Sequence, residues 1–99
     1  MSEEIKEEQI AEWKKKYGKV MRVSISGIKY YYRPIDSDEY INIQKLISEE
    51  EVKAELQTAI VGTIFPEIND KSPAGAILVL SDEIIKISGF IPDGEPEEL

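Results

Sequence analysis

A chain of 99 residues with 41% hydrophobic, 32% charged and 8% aromatic content has room for one small core and not for two. It contains no cysteine and no histidine, which excludes disulfides, thiolate chemistry, most zinc sites and the commonest general base near neutral pH. Twelve Lys and Arg against twenty Asp and Glu leave a net charge of −8, a balance that repels nucleic-acid phosphates and anionic lipid headgroups.

No run approaches the roughly 18 apolar residues of a membrane span, and the Glu-rich start is unlike a secretory signal. The expectation is a cytoplasmic protein that is not an enzyme, uses no metal or cofactor and binds neither nucleic acid nor membrane. Charge is unevenly spread. Residues 1–17 carry net −1, with acids early and lysines late, an order that suits a helix dipole. Residues 18–34 hold Lys19, Arg22, Lys29 and Arg33 and no acid, whereas residues 35–99 carry net −11.

The first predicted element is an amphipathic helix over residues 3–17, with Ile10, Trp13 and Tyr17 on one stripe and Gly18 as its C-terminal stop. Met21, Val23 and Ile25 then alternate with Arg22 and Ser24, the period of a half-buried strand. Ser26-Gly27 supplies a turn and residues 28–33 a second strand, so the pair reads as a β-hairpin ended by Pro34. A second helix opens at Asp36, with Glu39 three residues on as its capping partner and Ile35 and Tyr40 as a hydrophobic staple. Its stripe is Tyr40, Ile43 and Ile47.

Ser48, with Glu51, Ile47 and Val52, repeats that signature and predicts a third helix to about Ile64. Its buried face is Val52, Leu56, Ala59, Ile60 and Thr63. After a polar loop at residues 67–71, Ser72-Pro73 predicts the start of a fourth helix. That helix has a wide apolar face (Ile77, Leu78, Leu80, Ile84, Ile85, Ile87) and ends at Gly89. The expected fold is α+β: an N-terminal helix, a β-hairpin, three helices packed around the small sheet on one side, and a disordered tail. Residues 1–91 form a single domain and residues 92–99, with four acids and two prolines, a flexible acidic tail.

Chemistry-bearing patterns are sparse. Asp36, Asp38 and Glu39 lack the glycine and distal glutamate of a calcium loop, and helix capping accounts for them. The serines have no histidine base, and the glycines lack the spacing of a phosphate loop. The basic, aromatic hairpin is the exception. A single-stranded nucleic acid would stack on its tyrosines, but the flanking acids favour a protein partner, since tyrosine and arginine suit interface cores and an edge strand can pair with another chain. With Tyr30 and Tyr32 inward, Arg22, Lys29, Tyr31 and Arg33 become the expected partner-binding residues, steering either an acidic partner or self-association into a homo-oligomer.

Several strings resemble the tail assembly chaperones of contractile-tailed bacteriophages. They are Trp13-Lys14-Lys15-Lys16-Tyr17-Gly18-Lys19-Val20 running into the hairpin, Tyr32-Arg33-Pro34-Ile35 followed by Glu39-Tyr40, Phe65-Pro66-Glu67, Ser72-Pro73-Ala74-Gly75 and Ser88-Gly89-Phe90. The likeness spans most of residues 13–90. The cysteines often seen before the Phe-Pro segment in such proteins are absent, with Ala59 and Gly62 nearby instead. The resemblance implies a non-enzymatic protein that binds a phage tail protein, such as the tape-measure protein, in the host cytoplasm until the tube polymerises around it. It also implies that a longer product can arise by frameshifting near the C-terminus. The competing reading is a permanent virion component of baseplate, neck or capsid.

The tail contributes almost no apolar surface, and its acids repel one another. Truncation after Ile91 is therefore expected to leave the midpoint of thermal unfolding nearly unchanged, and a large drop would show that the tail docks.

Overall fold

The computed structural model describes residues 5–50, 53–89 and 98. The expected tail, Glu98 apart, and the capping residues Glu51 and Val52 lie outside them, as do the first residues of the predicted N-terminal helix. In chain order the elements are α1 (Glu7–Tyr17), β1 (Met21–Ile25), β2 (Ile28–Tyr32), α2 (Ser37–Glu50), α3 (Ala54–Gly62), β3 (Thr63–Phe65) and α4 (Ala74–Ile87). The class is α+β, with a three-stranded antiparallel sheet in the order β1-β2-β3.

Local chemistry explains the first half. Glu7 and Glu8 lie in the first turn of α1 and Lys14, Lys15 and Lys16 in the last, each charge complementing the dipole at its end. Gly18 terminates the helix at a φ of 83°, its N–H donating to the Lys14 carbonyl at 2.8 Å. The hairpin pairs Met21 with Tyr32 through to Ile25 with Ile28. Ser26 and Gly27 between them both have positive φ, 51° and 81°, the two-residue turn whose twist matches that of the strands. Asp36 and Glu39 then start α2 reciprocally: Asp36 Oδ1 accepts the Glu39 N–H at 2.8 Å, and Glu39 Oε1 accepts the Asp36 N–H at 3.1 Å.

The middle of the chain departs from expectation. Ser48 lies inside α2 and is not an N-cap, and α3 ends at Gly62 instead of reaching Ile64. Thr63–Phe65 form β3 on the far side of β2, with Tyr31 opposite Phe65 and Tyr32 opposite Thr63. A β-branched pair and an aromatic between Gly62 and Pro66 are poor helix formers and good strand formers. Pairing there also satisfies the β2 backbone groups that a two-stranded hairpin leaves bare. Past the irregularity at Tyr31/Tyr32, the Arg33 N–H donates to the Gly62 carbonyl at 2.9 Å.

The start of α4 is also shifted. The Ser72 hydroxyl accepts the Asn69 N–H at 3.0 Å and so closes the preceding loop instead of capping the helix. The N-cap is Pro73, without a side-chain hydrogen bond. That loop is polar except for Ile68, which is buried in the core.

Tyr30, Tyr32, Ile35, Ile43, Ala59, Ile68, Ala76, Leu80 and Ile84 form one buried cluster on one face of the sheet. Tyr31 points to the opposite face and is buried as well, so helices cover both faces rather than one. The α4 face is narrower than its sequence implies: Leu80 and Ile84 are fully enclosed while Leu78 is 58% exposed. Ile60 of α3, expected inward, is also exposed. Ser88 joins the end of α4 to the segment before α2, its hydroxyl donating to the Ile84 carbonyl at 2.5 Å and accepting the Ile35 N–H at 2.8 Å.

Helices α3 and α4 meet so closely that a β-carbon on Gly62 would lie 2.5 Å from Ile84 Cδ1 and 2.8 Å from its Cγ2. Gly62→Ala should therefore cost about 1–3 kcal/mol by overpacking. Ile84→Ala should cost about 2–5 kcal/mol by leaving a cavity. Because the new methyl enters that cavity, urea unfolding of the double variant should show a loss well short of the sum. Strict additivity would mean that the two positions do not touch.

Candidate protein-binding surface

Strand alternation divides the hairpin into two sets. Met21, Val23 and Ile25 pair with Tyr32, Tyr30 and Ile28 on the core face, leaving Arg22, Ser24, Lys29 and Tyr31, with Arg33 just beyond, on the other. Helix α1 returns over part of this second face because only Gly18, Lys19 and Val20 separate it from β1. The Trp13 ring stands 5.5 Å from that of Tyr31 at 55°. The Arg33 guanidinium carbon lies 4.7 Å from the centre of the Tyr17 ring, within cation–π range.

The four expected partner-binding residues therefore separate into two pairs. Arg22 and Lys29 face solvent. Tyr31 is only 6% exposed beneath Trp13 and offers no outward ring. The expected outward placement of Tyr31 is corrected: the apolar stripe of α1 needs cover of its own, and Tyr31 is the aromatic on the face that α1 reaches. Arg33 is likewise engaged within the molecule. It grips Glu39 with both nitrogens, Nη1 to Oε1 at 2.6 Å and Nη2 to Oε2 at 2.8 Å, and Nη1 also donates to the Pro34 carbonyl at 3.2 Å. Its role is to hold β2 to the start of α2.

Around the solvent-facing pair, charge is one-sided. Residues 13–35 contain seven Lys and Arg and no acid, leaving five Lys and Arg against all twenty acids elsewhere. Lys14, Lys15, Lys16, Lys19, Arg22 and Lys29 are all exposed. Between α1 and β1 a shallow groove of about 200 Å³ is lined by Ile10, Lys14, Val20, Met21, Arg22 and Tyr31. Its walls are apolar and two of its lining residues are cations, a surface suited to a partly apolar, negatively charged segment.

Lys14 was not foreseen as part of this surface, although its place one residue after Trp13 on the helix facing the hairpin carries the signal. The outer edge of β1 was equally hidden, since only the presence of β3 on the far side of β2 determines which edge stays open. Asp36 and Glu39 are accounted for by helix capping, and among the described residues no group of three His, Cys, Asp or Glu side chains is placed to hold a metal ion. Among the same residues no helix is long and apolar enough to cross a membrane. Comparison of the chain with protein-family models, with curated proteins and with solved structures found no match.

This packing shifts several ionisable groups, Tyr32 and Glu39 among them. Burial pushes the Tyr32 phenol above its ordinary value of 10.0, with Glu83 adding to the effect and Lys86 opposing it. The hydrogen bonds from Arg33 hold the Glu39 carboxyl below its ordinary 4.5, against the opposing effect of burial and helped by the Asp36 N–H. A carboxylate with a depressed folded value stabilises the fold above its unfolded value and loses that contribution as pH falls through the folded one. Glu39→Gln is therefore expected to lose about 1 kcal/mol at pH 7, allowing for solvent screening of a partly exposed pair. In urea unfolding across pH, the gap between variant and parent should be fully present above 4.5 and close below it. A gap that persists at pH 2 would assign the loss to shape and not to charge.

Proposed function

We propose that the protein is a non-enzymatic protein-binding module. Its inferred role is that of a tail assembly chaperone, holding a phage tail protein such as the tape-measure protein until assembly. The observation that carries the reading is the open cationic face at α1 and β1, where Arg22 and Lys29 remain in solvent in a chain of net charge −8. Such a face steers an acidic partner into place, while the acidic remainder keeps the complex soluble. The strings Trp13-Lys14-Lys15-Lys16-Tyr17-Gly18 and Ser88-Gly89-Phe90 support the phage context by resemblance. In this reading the protein works in the host cytoplasm and takes no nucleotide, metal or nucleic acid.

Replacing Arg22 and Lys29 together by Glu is expected to weaken capture of co-expressed tail proteins and make it less salt-sensitive, with the circular dichroism spectrum unchanged, since neither residue supports the core. Capture indifferent to the double reversal would remove the hairpin from the interface. Mass spectrometry of purified virions distinguishes the two phage readings: a chaperone is missing from them, whereas a baseplate, neck or capsid component is present in fixed copy number.

A further inference from the structure

Strand order β1-β2-β3 leaves β1 with an outer edge, and among the described residues no strand pairs with it. The two-residue turn makes Ile25 and Ile28 a hydrogen-bonded pair, so Val23–Tyr30 and Met21–Tyr32 are hydrogen-bonded pairs too. The N–H and C=O groups of Arg22 and Ser24 consequently aim away from β2, and both residues are exposed. Edges of this kind are normally shortened or blocked. β3, at the other side, is three residues long and is followed by Pro66. β1 has five residues, no proline and no bulge.

We infer that the β1 edge takes up an extended acidic segment of a partner by strand addition. This rests on the protein-binding reading above and specifies its mode. Four backbone groups, on Arg22 and Ser24, would supply the pairing, and the alternation of the strand would supply the selectivity. Arg22 lies on one face of the sheet, with Lys29 across from Ser24 on the same face and Lys14 at the adjoining groove. The added strand must therefore place carboxylates on that side. On the opposite face Met21, Val23 and Ile25 are half-buried against the core, so the added strand must place apolar side chains there. The complementary occupant alternates acidic and apolar residues over about five positions, the length of β1.

Charge selects this occupant over a second copy of the chain. Two β1 edges brought together would also bring together two sets of Lys14, Lys19, Arg22 and Lys29, and like charges across an interface oppose pairing.

The test uses the full chain and the peptide acetyl-Glu-Val-Glu-Val-Glu-Val-Glu-amide, titrated by calorimetry at low salt. Binding should weaken about tenfold in Ser24→Pro, the equivalent of one lost backbone hydrogen bond. Proline is tolerated on an outward-facing edge position, so circular dichroism should match the parent. Should Ser24→Pro not fold, the parent protein serves with peptides N-methylated at alternate residues: one alternate set should abolish binding and the other should not. Replacing every Glu of the peptide by Lys should abolish binding.

Binding that falls in Arg22→Glu but is unaffected by Ser24→Pro and by N-methylation would overturn strand addition while leaving a cationic protein-binding face intact. A dimer in light scattering that Ser24→Pro converts to monomer would make a second copy the occupant and would also overturn it. Failure to capture any co-expressed tail protein, with peptide binding behaving as expected, would count against the proposed chaperone role alone.

Discussion

Three consecutive tyrosines in β2 impose the main constraint on this molecule, because successive side chains of a strand point to opposite faces. Tyr30 and Tyr32 cannot share a face with Tyr31, yet all three rings are buried. A sheet carrying such a strand needs cover on both sides. The larger cover comes from α2, α3 and α4, whose Ile43, Ala59, Leu80 and Ile84 join Tyr30 and Tyr32 in the core. The smaller comes from α1, through Trp13 on Tyr31. β2 is also central within the sheet, between β1 and β3, so its backbone and its three tyrosine side chains are enclosed together.

The residues after β2 convert that enclosure into a connected structure. Arg33 continues the alternation of the strand onto the α1 side, where it meets Tyr17, and its guanidinium turns Glu39 into an anchor for the start of α2. The carboxylate that binds Arg33 also accepts the Asp36 N–H, so helix capping and strand-to-helix attachment share one group. Two residues on, Ile35 is tied to the far end of the chain through the Ser88 hydroxyl. The four-residue connection, 33 to 36, thus touches α1, α2, α3 and the C-terminal end of α4 through named contacts. Partly buried polar groups that are paired in this way hold a small core in one arrangement.

What could be read in the sequence follows from where its signals are local. The hairpin, with its Ser26-Gly27 turn, and the Asp36–Glu39 capping box depend on residues within a few positions of one another, and both form as expected. β3 depends on a partner strand about 30 residues away, and in isolation Thr63-Ile64-Phe65 also fits the end of a helical face. The second capping signature, at Ser48, was misleading for the same reason. Ser48 lies within α2, which runs to Glu50, and the N-cap of α3 is Lys53, because tertiary packing overrides local preference. At the candidate site, composition and charge pointed to the hairpin, but alternation alone cannot say which face a distant helix will cover. Tyr31 and Arg33 are therefore interior contacts of the fold, and Arg22 and Lys29 are surface groups.

Helix α1 differs from the other helices in having no buried residue of its own. Its hold on the sheet runs through two aromatic contacts, Trp13 to Tyr31 and Tyr17 to Arg33, each worth about 1 kcal/mol. Such an element opens at a fraction of the free energy of global unfolding. Trp13 is the only tryptophan of the chain. Its emission is accordingly an intrinsic reporter of one event, the seating of α1 on the sheet, and stays largely silent about rearrangements confined to the opposite side of the molecule.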